Sequence, residues 1–388
     1  MDEFHKLRSL PVLRPNVTVR SSLGAGSKLS GLKRDFKPTS FNAYFDTCKH
    51  VCVSGNVFRI YLSGCQTSNC VTLVLLHGGG YSALTWAPFV QALRLLCDCR
   101  VIAIDLRGHG GTNTDNDYDL SMNTLCSDVS GVLSAVIPDI DLAPVVIIGH
   151  SMGGALAIHC AHKLQNTLTN FAGLVVIDVV EGTALEALKN MKQVLKNRPK
   201  SFNSLRSAVE WCYRSGMTRN LEAAKVSMPG QLKNVETNKT ATEDIHNIAD
   251  DSESVSRCRN LTTNVNQIVE EEESDVEKAE GVARVETQEL SAVCRYVWRI
   301  DLEKTEPCWN DWFQGLSELF LTAPIQSKLL ILAGVDRLDR PLTIGQMQGK
   351  FQTEVLSRCG HAAHEDDPNK VAEIIATFLR RNRLLPPK

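Results

Sequence analysis

The stretch Val145-Val146-Ile147-Ile148-Gly149-His150-Ser151-Met152-Gly153-Gly154 leaves the chain few choices. Four β-branched residues stop at a glycine, and a serine follows two positions later. Two more glycines then lead into the small apolar run Ala155-Leu156-Ala157-Ile158. The first run predicts a buried strand and the last a helix. Only a sharp turn fits between them, with Ser151 at its apex. The spacing is G-x-S-x-G, in which a strained turn lifts a serine hydroxyl above the sheet. So tight a turn excludes side chains at Gly149 and Gly153. The N–H of Met152 opens the helix as an orphan donor and can receive an oxyanion.

The rest of the chain repeats the strand-then-helix pattern. Stretches that read as strands occur at Val71–Leu76, apolar but for Thr72, and at Val101–Ile104, Leu174–Ile177, Lys328–Ala333 and Thr353–Leu356. Helical spacing occupies Trp86–Leu96, Val129–Val136 and Val371–Arg380. His50–Val53 and Val57–Leu62 read as a strand pair across Ser54-Gly55-Asn56. Near-continuous apolar strands alternating with helices predict an α/β fold, a mostly parallel eight-stranded sheet covered on both faces. Ligands of such sheets bind beyond the carboxyl ends of the strands. The candidate polar residues all follow strands: His77, Asp105, Ser151, Asp178, Asp336 and His361.

The alternation divides the chain. Residues 41–181 and 326–388 carry it and form the expected core. Residues 182–325 interrupt it with helical patterns such as Thr183–Leu195 and Ser204–Tyr213, as a cap would. Within the cap, 234–290 holds fifteen acidic and five basic residues and no Phe, Trp or Tyr. That composition predicts an acidic disordered loop. Residues 1–40, with eight Lys or Arg against three Asp or Glu, predict a flexible basic tail. A net charge of −2 excludes nucleic-acid binding driven by bulk charge. No apolar run reaches membrane-spanning length, and Met1–Leu10 lacks a signal peptide's apolar core. The expectation is an intracellular protein, in cytoplasm or nucleus, without a membrane partner. Its 13 cysteines are then expected to be reduced thiols. Cys97 and Cys99 have no second pair at metal-ligand spacing, so no metal is assigned.

Serine hydrolysis needs a base and a carboxylate beside the nucleophile. His361 follows the last strand in Cys359-Gly360-His361 and is the candidate base; His364 is its nearest rival, and His109 a weaker one. Asp178 ends the strand after the elbow. Asp336 ends the strand after the cap, and Asp339 lies near it. All three satisfy the order serine, aspartate, histidine, and periodicity does not choose among them. His77-Gly78-Gly79-Gly80 offers backbone N–H groups without shielding side chains, and Gly79 with Met152 is the expected oxyanion pair. Asp105-Leu106-Arg107-Gly108-His109-Gly110 reads as a structural turn at the pocket rim.

Beyond these general motifs stand Ile177-Asp178-Val179-Val180-Glu181-Gly182-Thr183-Ala184, Arg219-Asn220-Leu221-Glu222, Ala333-Gly334-Val335-Asp336-Arg337-Leu338-Asp339 and Thr343-Ile344-Gly345-Gln346-Met347-Gln348-Gly349-Lys350-Phe351. Through them the chain resembles the protein phosphatase methylesterases, a family of the α/β-hydrolase fold, from Arg34 to near Leu379. The tail and the insertion match in character only. The resemblance implies Ser151 as nucleophile, His361 as base and Asp178, rather than Asp336, as acid. It implies hydrolysis of the methyl ester on the C-terminal leucine of the type 2A protein phosphatase catalytic subunit, with that subunit as substrate and binding partner and no cofactor. A protein-tail substrate implies an open groove in the cap, which Trp298, Trp309 and Trp312 are expected to line or support. Two other functions fit the same motifs: a small-molecule carboxylesterase or lipase, and a stoichiometric phosphatase-binding inhibitor.

Overall fold

The alternating apolar strands do assemble into one sheet. The computed structural model describes residues 34–65, 67, 70–137, 143–250, 295–334 and 338–385. Strands β1 (Thr47–Val53), β2 (Asn56–Gly64), β3 (Thr72–Leu76), β4 (Arg100–Ile104), β5 (Val145–His150), β6 (Phe171–Ile177), β10 (Ser327–Leu332) and β11 (Gln352–Val355) lie side by side in the order β1-β2-β4-β3-β5-β6-β10-β11. β2 pairs antiparallel with both β1 and β4, and the remaining pairs are parallel. Period-two side-chain alternation fills both faces. Val145 and Ile147 of β5 enter one core cluster, and Val146 and Ile148 enter the other. Leu330 and Leu332 of β10 divide from Leu329 and Ile331 in the same way. Each fully buried aliphatic side chain contributes roughly 1.5–3 kcal/mol, so a one-residue slip of a central strand is excluded. Helices α1 (Ala87–Arg94), α2 (Met122–Val136) and α3 (Met152–Lys163) supply cover, and α1 packs against the last helix, Pro368–Arg381. From Phe36 onward the described residues form one compact unit.

The cap, between β6 and β10, is not helical throughout. It holds α4 (Glu181–Lys196), α5 (Leu205–Arg214), α6 (Leu221–Gly230), α7 (Glu306–Phe313) and α8 (Leu316–Thr322). It also holds a small antiparallel sheet, β7 (Ser201–Phe202), β9 (Tyr296–Trp298) and β8 (Leu232–Asn234), in the order β7-β9-β8. Strands of two or three residues are too short for periodicity to reveal. The acidic insertion expected over 234–290 starts too early. Asn234 closes β8, and its side chain accepts the N–H of Glu236 at 2.9 Å and donates to Asp244 at 2.7 Å. Glu243 pairs with Arg59 at 3.2 Å. Residues 251–290 lie outside the described residues, as does 1–33 of the expected tail. The tail's expected end at residue 40 is also late. Phe36 is buried in the cap cluster, and Thr39 donates its N–H to Lys225 at 3.0 Å.

One expectation about thiols fails. Cys65 and Cys70 are joined by a disulfide, their Cα atoms 6.3 Å apart in the connection from β2 to β3, a separation within the range a disulfide spans. Among the described residues no helix is long and apolar enough to cross a membrane.

Candidate active site

The turn between β5 and α3 is as tight as its spacing requires. A Cβ on Gly153 would lie 2.3 Å from the carbonyl oxygen of Leu76, and one on Gly149 would lie 2.0 Å from that of Gly153. Ser151 sits between them at φ 53° and ψ −121°. A non-glycine residue held there stores on the order of 1–3 kcal/mol of strain. The turn is anchored by the Ser151 N–H, which donates to Ile177 at 3.0 Å, while the side chain makes no capping bond to α3. The hydroxyl is thus left at the strand ends.

Asp178 comes directly after β6 and repeats the unusual backbone, at φ 51°. Its N–H donates to Ile331 at 2.8 Å, and its Oδ1 accepts from the N–H of Ala333 at 2.8 Å. Oδ2 meets His361 Nδ1 at 2.8 Å. The carboxylate is fully buried, whereas the His361 side chain is half exposed. A buried charge needs partners, and the imidazole and the Ala333 amide are two of them. The loop bearing His361 is held from behind. His150, the residue before Ser151, donates from Nε2 to the carbonyl of His361 at 2.9 Å, and the two rings lie 4.7 Å apart. Asp366 accepts the N–H of Gly360 at 2.6 Å.

The glycine loop after β3 is fixed by two more buried histidines. His77 Nε2 accepts the N–H of Leu106 at 3.0 Å, and His109 Nε2 accepts the N–H of Gly80 at 2.9 Å. Burial holds both rings below their ordinary pKa, His109 at about 4, so both stay neutral and can accept. The Gly80 amide is therefore committed. A Cβ on Gly78 would stand 3.2 Å from that of Ser151, and one on Gly79 would stand 3.7 Å from Met152 Sδ. Gly79 and Met152 thus flank the elbow together. Asp105 accepts the N–H groups of Ala83 at 2.7 Å and Gly111 at 2.8 Å and braces the turn beside this loop, and burial raises its pKa to about 6.

Comparison with known proteins gives the family. The model of the alpha/beta hydrolase family matches residues 73–374. Protein phosphatase methylesterase 1 of Bos taurus is 47% identical over 96% of this chain and 95% of its own length. The Homo sapiens protein of that name is 46% identical over 96% of the chain and 93% of its own length. The chain belongs to the protein phosphatase methylesterase family. It is an α/β-hydrolase and a carboxylic-ester hydrolase. Among solved structures, E-2-(acetamidomethylene)succinate hydrolase superposes with a TM-score of 0.59 at 13% identity, over 86% of this chain and 99% of that one, a likeness of fold.

The remaining candidates separate by position. Asp336 lies outside the described residues. Asp339 caps the helix Arg340–Met347 through the N–H of Leu342 at 3.0 Å and accepts from Ser317, so it ties that helix to the cap. His364 is wholly buried, 2.8 Å from Thr85 Oγ1, and burial lowers its pKa to about 3. Of the tryptophans, Trp312 borders Gly79, with Cζ3 4.0 Å from where its Cβ would stand, and donates to Leu120 at 2.8 Å. Trp309 is buried and bonded to Thr305, so it supports the cap. Trp298 lines a cleft of about 700 Å³ with Leu195, Arg198, Pro199, Ile300 and Leu302. Leu302 joins that cleft to the glycine loop, its Cδ1 2.9 Å from a Cβ built on Gly80. Leu302 and Arg198 were not singled out from the sequence, which marks neither as different from an ordinary cap residue. His150 was more legible, since the second residue of G-x-S-x-G must stand at the strand end beside the base.

Proposed function

We propose that this family member removes the methyl ester from the C-terminal leucine of a type 2A protein phosphatase catalytic subunit, with Ser151 as nucleophile, His361 as base and Asp178 as orienting acid. The observation that carries the reading is the 2.8 Å contact from buried Asp178 to half-exposed His361, whose loop is bonded to the residue preceding Ser151. Similarity to methylesterases over nearly the whole chain supports the substrate.

The reaction has two halves. Ser151 Oγ attacks the ester carbonyl as His361 Nε2 takes its proton. The N–H groups of Gly79 and Met152 hold the tetrahedral oxyanion. His361 returns the proton to departing methoxide, giving methanol and an acyl-serine. Water, deprotonated by His361, then attacks that acyl group, and Ser151 leaves with the proton. Asp178 keeps Nδ1 protonated, so Nε2 faces the reacting atoms, and it stabilises the imidazolium. The phosphatase substrate places this chemistry in cytoplasm or nucleus.

Methanol release from carboxymethylated phosphatase tests the reading. Wild type is expected to release methanol, and Ser151→Ala to do so roughly 10⁴-fold more slowly or worse. Fast hydrolysis of a small acyl ester with no methanol from the phosphatase would instead assign a general esterase.

A further inference from the structure

We infer that Arg198 is a specificity-determining residue of the cap cleft, receiving an acidic side chain of the substrate peptide a few residues ahead of the ester. The inference rests on the proposed reading of the chain as an esterase for a peptide's C-terminal ester.

Arg198 follows α4 and lines the cleft. Its guanidinium carbon lies over the Trp298 ring, 3.6 Å from the centroid, and the Trp298 indole is held by an N–H bond to Pro199 at 2.7 Å. Stacking occupies a face and leaves the edges for in-plane bonds. Nε and Nη2 are buried and have no hydrogen-bond acceptor among the described residues. Those two nitrogens form the fork that accepts a carboxylate bidentately. Burial lowers the pKa of the group, yet a guanidinium stays charged at any ordinary pH. A buried charge without a counter-charge is retained only where something repays it.

Position points to the substrate. Nη1 is 3.8 Å from where a Cβ on Gly80 would stand, and Leu302 Cδ1 touches the same spot. Gly78, two residues back, abuts Ser151, a separation of at most about 7 Å along the loop. A peptide with its terminal carbonyl at Ser151 therefore brings the side chain two to four residues upstream to the cleft. Nε and Nη2 are closed to solvent, so the substrate carboxylate reaches the fork as the Arg198 side chain shifts over Trp298. Exposed Lys196 and Lys200 reinforce the attraction, against Asp301 and Glu303 on the rim, where Asp301 already pairs with Lys304 at 3.7 Å.

The test uses peptides ending in leucine methyl ester, with Asp or Ala at the second, third or fourth position before the ester. The readout is the ratio of kcat/KM for the Asp and Ala peptides, which is independent of how much enzyme is folded. Wild type is expected to favour Asp at one of these positions by about tenfold, mainly through KM. Arg198→Met brings that ratio to one, and Arg198→Lys, which keeps the charge without the fork, leaves it between the two. A wild-type ratio of one at every position, or an unchanged ratio in Arg198→Met, overturns the inference. If wild type hydrolyses none of the esters, the esterase reading has failed, and binding of the corresponding free-acid peptides decides instead. Preference for Asp in wild type alone would uphold the role of Arg198; no preference would end it.

Discussion

His361 and His364 are three residues apart and differ in almost everything but their ring. His361 is half exposed and rests on the buried carboxylate of Asp178. His364 is fully buried, its ring tilted against Trp86 at 4.3 Å and His150 at 4.5 Å. Its Nε2–H donates to Thr85 Oγ1 at 2.8 Å, and the Thr85 hydroxyl donates to Glu365 at 2.6 Å. One histidine has a charged partner behind it and open space in front. The other donates to a hydroxyl, and burial keeps it neutral. The difference lies in burial and partner, not residue type, and it separates the proposed base from a brace.

The largest effect should come from breaking the first pair. Asp178→Asn keeps the shape and the capacity to accept from Ala333, but presents an amide to Nδ1. The amide favours the wrong tautomer and leaves the imidazolium uncompensated. We expect kcat for methanol release to fall roughly 10³–10⁴-fold, with a thermal midpoint close to wild type. Asp339→Asn, at a helix cap, should cost less than about tenfold. Equal losses in the two variants would erase the distinction between orienting acid and cap.

Much of this was legible beforehand because steric rules are local. Gly149 and Gly153 could be read as obligatory from spacing alone, and the clashes that a Cβ would meet explain why. The strand ends were legible because apolar runs stop where polar loops begin. The proposed acid was not legible from the residues. Asp178, Asp336 and Asp339 all follow core strands or their loops, and periodicity treats them alike. The small sheet of β7, β8 and β9 was hidden for another reason: its strands join residues as distant as Ser201 and Val297 or Leu232 and Trp298, and two- or three-residue strands carry no periodic signal. Arg198 was hidden because its meaning depends on Trp298, a neighbour distant in sequence.

Cutting the second chain should act on stability rather than rate. Thr85→Val is nearly isosteric and removes the hydroxyl that serves both His364 and Glu365. Two buried polar groups then lose a partner, at about 1–3 kcal/mol each. We expect a loss near 4 kcal/mol by denaturant titration, while kcat per folded molecule stays within about tenfold of wild type. A collapse of kcat with stability intact would mean that His364 takes part in the chemistry, and the contrast between the histidines would fall.

The smallest effect concerns Glu365, and it has a definite sign. Desolvation raises its pKa from 4.5 to about 7, opposed by the bond from Thr85. The folded protein therefore keeps this proton over a pH range in which the unfolded chain has released it. Between about 4.5 and 7 the folded state binds more protons, so this group's contribution to stability falls as pH rises and levels off above 7. A shift of this size corresponds to about 3 kcal/mol at 1.36 kcal/mol per pH unit. Glu365→Gln removes the titration and retains an acceptor for Thr85, though its amide N–H₂ needs a partner of its own. The variant should thus be more stable than wild type at pH 8 by about 2 kcal/mol, with a flatter stability profile from pH 4.5 to 7. A variant less stable than wild type at pH 8 would show that the folded protein stabilises the ionised Glu365 through its partners. The region behind His364 would then favour a charge, as the region behind His361 does, and burial alone would no longer account for the difference between the two histidines.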